Sequence, residues 1–139
     1  MNRLNKYAEH FIKLEFIKFN IEIFQNESGR IGADFIIKTS KGNYYELLLK
    51  SFNIEKGSNI TITKEELPAP KDNLYIAMVM ITKNMECSLY LIPSIILLKP
   101  KEYSFINYKP KETCWNINVL LETIPEITKF SSANSISKL

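Results

Sequence analysis

The sequence is poor in the side chains that make most recognisable catalytic and metal sites. It has one histidine, His10, and two cysteines, Cys87 and Cys114, without any Cys-x-x-Cys or Cys/His ligand spacing. This composition argues against a histidine-based triad, a structural zinc site and a disulfide framework. We therefore expect free thiols and a reducing, cytoplasmic setting.

Long hydrophobic runs and a strong charge bias are also lacking. The longest apolar stretches, 74–81 and 89–98, are shorter than the roughly 20 residues that a membrane helix needs, so no membrane partner is expected. The chain opens without a secretory signal pattern. The formal net charge of +3 is small and the lysines are scattered, so charge alone does not indicate a nucleic-acid-binding protein.

Length and composition favour a folded protein. A chain of 139 residues with 45% hydrophobic and 24% charged residues is typical of one globular domain. We expect that domain to cover 1–130 and a flexible tail to cover 131–139. Helical patterns at both ends with strand patterns between them indicate a mixed α/β (α+β) fold.

Local patterns predict the order of the elements. Apolar spacing predicts a helix over 4–19 and a strand over 21–24. Residues 33–39 and 43–50 form a predicted hairpin around the glycine-containing loop at 40–42, and its second strand is apolar on both faces, as in a central strand. The remaining predicted elements are strands at 59–63, 74–82 and 88–92, a short helix from Ser94, an outer strand at 115–119 and a last helix at 120–130.

The hairpin carries the candidate site, with Asp34 at its start and Lys50 near its end. Alternation along the second strand puts Glu46, Leu48 and Lys50 on one face. A three-residue loop at 40–42 sets Asp34 opposite Leu48, whereas an even loop turns Asp34 away. The sequence leaves both registers open.

This arrangement resembles the core of the PD-(D/E)XK, or restriction-endonuclease-like, nuclease superfamily. The matching segments are Ala8-Glu9-His10, Gly32-Ala33-Asp34-Phe35 and Tyr45-Glu46-Leu47-Leu48-Leu49-Lys50-Ser51. Segments 72–77, 89–94 and 115–118 are similar to landmarks of an uncharacterised bacterial family of this fold. The resemblance implies a mixed central sheet flanked by helices, Mg²⁺ as cofactor and DNA as substrate.

The resemblance also implies a site made from Asp34, Lys50 and an acid two residues before the lysine. Leu48 occupies that acid's position and offers no oxygen to a divalent cation. Glu46, on the same strand face, and Glu9, on the first helix, are the candidate replacements. The predicted catalytic set is therefore Asp34, Lys50, Glu46 and Glu9, with Asp34 and Glu46 as the metal ligands.

Three functions stay open at this point. The favoured one is a catalytically impaired nuclease-fold protein that acts by binding, with nucleic acid as the expected partner. Asp34 and Lys50 are then kept as a structural ion pair or as a solvated strand end. The second is an active metal-dependent DNA endonuclease with a relocated acid. The third is a protein-interaction or immunity-type module. The sequence does not determine the oligomeric state, and a homodimer is compatible with it.

Overall fold

Two sheets and a long N-terminal helix build the molecule. The computed structural model describes residues 3–28, 32–55, 57 and 59–139. Its helices and strands are α1 (Arg3–Lys18), β1 (Glu22–Gln25), β2 (Phe35–Lys38), β3 (Tyr44–Asn53), β4 (Asn59–Thr63), β5 (Leu74–Ile81), β6 (Cys87–Pro93), β7 (Ile106–Lys109), β8 (Cys114–Asn118), α2 (Ile124–Ile127) and α3 (Ser132–Ser135). No helix within these described ranges is both long enough and apolar enough to cross a bilayer.

The larger sheet is mixed and has the strand order β1-β2-β3-β5-β6. The β3–β5 pair is parallel, and the neighbouring pairs are antiparallel. The predicted hairpins are confirmed as β2–β3 and β5–β6, and β3 is the central strand. Because β3 is covered on both faces, its apolar run Leu47–Leu49 fits this position.

The register of the β2–β3 hairpin follows from its loop. Phe35 pairs with Leu47, and the Thr39 N–H donates to the Asn43 carbonyl at 2.9 Å, which leaves a three-residue loop at 40–42. Gly42 has φ +86°, a conformation that glycine adopts without strain. The three-residue alternative is therefore correct, and Asp34 lies where the ladder reaches Leu48.

The smaller sheet has the order β4-β8-β7 and is antiparallel. The strand predicted at 115–119 exists as β8, but it is the middle strand of this sheet and not an outer one. The reason is β7, which was not predicted and pairs along the second edge of β8. Residues 114–117 are buried, including Asn116, whose amide oxygen accepts a hydrogen bond from the Thr61 hydroxyl at 3.0 Å.

Each face of the larger sheet packs against a different partner. One face and the smaller sheet bury a core whose members include Leu48, Ile62, Ile76, Trp115 and Ile117. The opposite face and α1 bury a second core whose members include Ile12, Phe16, Leu47, Ala77 and Val79. Because residues of β3 and β5 enter both cores, the two cores share these strands. Full burial of one such aliphatic or aromatic side chain stabilises a protein by about 1.5–3 kcal/mol.

The C-terminal segment differs from its prediction in two respects. The helix predicted over 120–130 is reduced to α2, a single α-helical turn, because the Thr123 hydroxyl donates to the Asn118 carbonyl at 2.8 Å and closes a turn just before it. Residues 131–139, predicted as a flexible tail, form α3 and a short 3-10 turn. Ile136 and Leu139 are three positions apart and bury their side chains in the α1-side core.

Candidate functional site

A cavity of about 540 Å³ opens where β3 passes the end of β4. The start of β2, the middle of β3 and the segment after β4 supply its walls. The lining residues are Gly32, Asp34, Leu48, Leu49, Lys50, Thr63, Glu65 and Glu66. Asp34 and Lys50 therefore line one cavity, as the three-residue loop allows.

The Asp34 carboxylate is fixed by the backbone of β3. Its Oδ2 atom accepts a hydrogen bond from the Leu49 N–H at 2.7 Å, and its own N–H donates to the Leu47 carbonyl at 2.8 Å. Burial raises the pKa of Asp34 above its ordinary 3.8, and the hydrogen bond from Leu49 and the charge of Lys50 offset this only in part. The charges of Glu9 and Glu66 raise the pKa further.

Lys50 pairs with an acid that the sequence analysis did not select. Its Nζ atom lies 2.5 Å from Glu66 Oε2, so the predicted Asp34–Lys50 ion pair is replaced by a Lys50–Glu66 pair. The Glu66 Oε2 atom is buried, and none of the described residues donates a hydrogen bond of ordinary geometry to it. Its close polar neighbour among these residues is the Lys50 ammonium. The only sequence signal for Glu66 was its place, beside Glu65, just after a predicted strand.

Leu48 forms an apolar part of the cavity wall and is only 7% exposed. It belongs to the core between the two sheets, where an ionised acid would be costly without a cation. The described residues hold no group of three or more acid, histidine or cysteine side chains placed to bind a metal. With Asp34 facing Leu48, the position two residues before Lys50 supplies no second carboxylate for a magnesium ion.

Glu46 and Glu9 occupy different surroundings. Glu46 Oε2 lies 2.5 Å from Lys71 Nζ, and Glu46 lines the pocket next to the cavity, whereas Asp34 lines the cavity itself. Glu9 is buried on α1 and acts on Asp34 through its charge. His10, beside it, is exposed.

The neighbouring pocket is smaller, at about 240 Å³, and is called the Leu48 pocket below. It lies between β3 and the segment that leads to β5. Its lining residues are Gly32, Ala33, Glu46, Leu48, Glu66, Leu67, Pro68, Ala69, Lys71 and Leu74. Leu48 and Glu66 line both the pocket and the cavity, so the two spaces adjoin.

Lys64, next to this site, lies against an aromatic pair of the smaller sheet. Its ammonium is 5.1 Å from the ring centre of Tyr108 and 6.0 Å from that of Trp115. Such contacts hold a cation over a ring face while its outer side stays hydrated. Trp115 is buried and donates from Nε1 to the Leu97 carbonyl at 3.0 Å, so it serves packing here and not the stacking of bases.

Comparison with known proteins identifies the fold. No family model matches the sequence, and no curated protein sequence matches it. Among solved structures, the chain is similar to Hjc, a Holliday junction resolvase from the archaeal hyperthermophile Archaeoglobus fulgidus, with a TM-score of 0.58 and 12% identity over 88% of each chain. This likeness supports the restriction-endonuclease-like α+β fold that the resemblance predicted, and it shows the fold alone.

Proposed function

We propose that this protein is a nuclease-fold protein that binds nucleic acid and has lost efficient metal-dependent hydrolysis. The observation that carries the proposal is Leu48, which stands beside Asp34 where a second carboxylate is needed. The Lys50–Glu66 pair supports it, because the lysine that would serve the reaction is already neutralised. Within this proposal the chain acts in a bacterial cytoplasm, as the family resemblance implies.

Electrostatics limit where nucleic acid can bind. Three acids, Asp34, Glu65 and Glu66, and one lysine, Lys50, line the larger cavity, so phosphate is repelled from it unless a cation is present. Lysines at the rim are better placed. Lys71 also pairs with an acid, Glu46, but its side chain is 51% exposed, against 21% for Lys50, so phosphate can reach it. Lys64 is exposed after β4. We assign the backbone contacts to these two lysines.

Fluorescence anisotropy with EDTA present tests the binding. Hjc is a Holliday junction resolvase, so a labelled four-way DNA junction is the first ligand, with a linear duplex and a single strand beside it. We expect binding without metal that weakens steeply with salt, and replacing Lys64 or Lys71 by Glu should lower the salt slope by about one unit or more.

Lys18→Glu is the matched control, because Lys18 is 70% exposed at the far end of α1. It should leave the affinity and the salt slope near the wild-type values. Absence of binding to all three DNAs, or equal loss in the control variant, would contradict the proposal.

A metal-dependent endonuclease with Glu66 as the relocated acid is the second candidate function. One observation favours it: the Glu66 carboxylate lines the same cavity as Asp34. Plasmid nicking in Mg²⁺ or Mn²⁺ tests it, and activity should be abolished by Asp34→Asn and by Glu66→Gln but kept by Glu46→Gln. Nicking that follows this pattern would replace the first proposal with this one. If the wild type does not nick the plasmid, the first proposal is supported.

A further inference from the structure

The Leu48 pocket differs chemically from the cavity that it adjoins. Apolar groups dominate its walls, and its polar side chains are Glu46, Glu66 and Lys71. Its six apolar lining residues are Ala33, Leu48, Leu67, Pro68, Ala69 and Leu74. At about 240 Å³ it is smaller than the roughly 300–1,000 Å³ of pockets for drug-sized ligands, which suits a single small ring system.

Hydrogen bonds and an ion pair hold the pocket in shape. The Ser94 hydroxyl, completely buried, accepts from the Lys71 N–H at 3.0 Å and donates to the Lys71 carbonyl at 2.9 Å. On the opposite wall the Glu46 N–H donates to the Asn73 carbonyl at 2.7 Å, and the Glu46 carboxylate holds Lys71. A wall fixed in this way loses little conformational entropy when a ligand enters.

We propose that the Leu48 pocket binds one unstacked nucleobase that carries an exocyclic amino group. This inference rests on the proposed nucleic-acid-binding function and adds a base preference to it. Aliphatic side chains and a proline offer apolar surfaces to the faces of a ring, as in pockets that receive bases withdrawn from a stack. Lys71, half exposed beside the pocket, is placed to contact the attached phosphate.

The two carboxylates set the preference among bases. Glu46 and Glu66 each contact a lysine through Oε2, so each keeps its Oε1 atom as an acceptor. The amino groups of cytosine and adenine donate hydrogen bonds to such oxygens. Thymine presents carbonyl oxygens in place of an amino group, and these would face negative charge. The pocket should therefore favour cytosine and adenine over thymine.

Leu48 has a positive role under this inference. An acid at this position would put a charge into the wall shared by the pocket and the cavity. Leucine instead completes an apolar surface with Leu67 and Leu74. The residue that denies magnesium a second oxygen is thus the residue that makes the pocket fit a base.

Anisotropy titrations with labelled oligo-dC, oligo-dA and oligo-dT of about twelve nucleotides test the preference at one salt concentration in EDTA. We expect oligo-dC and oligo-dA to bind at least about fivefold more tightly than oligo-dT. Ala69→Phe fills the pocket from an exposed position, so it should reduce this ratio to about one while the affinity for oligo-dT stays near wild type. Ala133→Phe, at an exposed position on α3, is the control and should keep the ratio.

The outcomes separate this inference from the proposed function. Equal binding of the three oligonucleotides by wild type, or an unchanged ratio in Ala69→Phe, would overturn the base pocket while nucleic-acid binding stands. If no oligonucleotide binds but the four-way junction or the duplex does, the base pocket alone is overturned. If none of these DNAs binds, the proposed function fails as well. Saturable calorimetric binding of free arginine without binding of any DNA would assign the pocket to a cationic side chain of a protein partner and overturn both.

Discussion

Leu48 belongs to two environments at once. Its side chain is packed in the core between the sheets, and its remaining surface lines both the cavity and the pocket. A carboxylate at this position would gain from a nearby cation but would lose apolar contacts and solvation. Stability and metal affinity are therefore opposed at this position.

We predict that Leu48→Glu creates divalent-metal binding that wild type lacks. The variant should be less stable than wild type by about 2–5 kcal/mol without metal, because a buried apolar side chain is replaced by an acid. Mn²⁺ should restore part of this loss, since a ligand that binds only the folded state stabilises it. Calorimetry and urea unfolding with and without Mn²⁺ measure both effects.

Leu48→Gln is the control for Leu48→Glu, because it matches the size of the acid without its charge. It should share the loss of stability and show no recovery with Mn²⁺. Equal, tight metal binding by wild type and Leu48→Glu would contradict the prediction and indicate that other acids, such as Glu66 and Glu9, supply the ligands.

Asp34 makes a second prediction at the scale of one residue. Because its folded-state pKa is raised above 3.8, the folded state holds the proton more tightly, and stability falls as pH rises from 3.8 through the raised value. Asp34→Asn keeps an acceptor for the Leu49 N–H, but the asparagine side chain does not titrate. The stability of the variant relative to wild type should therefore increase from about pH 3 to about pH 7.

Urea unfolding of both proteins across that pH range measures the difference in their free energies of unfolding. The contributions of ionisable groups that both proteins share cancel in this difference. A difference that stays constant would show that the pKa of Asp34 is not shifted by folding, and one that changes in the opposite direction would show that its carboxylate is stabilised in the ionised form. Either result would contradict the prediction.

At the scale of elements, the β2–β3 hairpin sets the geometry of the site. Its three-residue loop brings Asp34 next to Leu48, and a loop one residue longer or shorter would turn the carboxylate to the other face. The positive φ of Gly42 and the bond from its N–H to the Thr39 carbonyl at 2.9 Å define this loop.

Gly42→Ala should destabilise the protein by about 1 kcal/mol. No atom lies within 4 Å of an added Cβ, so the cost comes from the backbone conformation and not from a clash. Gly57→Ala is the matched control, since its surroundings are equally open and its φ is not in the left-handed region. It should change stability by less than about 0.5 kcal/mol or raise it slightly. Equal effects of the two substitutions in chemical denaturation would contradict this account.

Local patterns predicted the elements whose partners are near in sequence. The α1 helix, the two hairpins of the larger sheet and the position of β4 follow from apolar periodicity and turn residues. The arrangement of the smaller sheet could not be predicted in this way, because β4 pairs with β8, which lies 55 positions away at Thr61 and Asn116. A short strand such as β7 also has little pattern of its own. The Lys50–Glu66 pair was missed because it depends on how the segment after β4 lies beside β3, which local periodicity does not specify.

At the scale of the whole molecule, the two cores are joined by the strands that they share. Alternate residues of β3 and β5 enter the core against the smaller sheet and the core against α1. Loss of one core would expose one face of both strands. We therefore expect the sheets, α1 and the C-terminal turns to unfold together.

Ile136→Ala tests this expectation from the last turn of the chain. Ile136 is buried in the α1-side core, so the substitution should cost about 2–5 kcal/mol. Fluorescence of Trp115 reports the smaller sheet and far-UV circular dichroism reports the whole chain, and both transitions should shift by the same amount. Ser137→Ala, exposed beside it, should have little effect. Separate transitions, or no loss of stability in Ile136→Ala, would show that residues 131–139 do not unfold cooperatively with the rest of the chain.

Ser94 does not line the Leu48 pocket, but its buried hydroxyl holds one wall of that pocket in place. Both main-chain groups of Lys71 end on this one oxygen, 23 positions further along the chain. A change as small as Ser94→Ala would release the wall of the Leu48 pocket and leave its lining side chains untouched. Under the base-pocket proposal, selectivity would therefore change through substitution at a position that contacts no ligand.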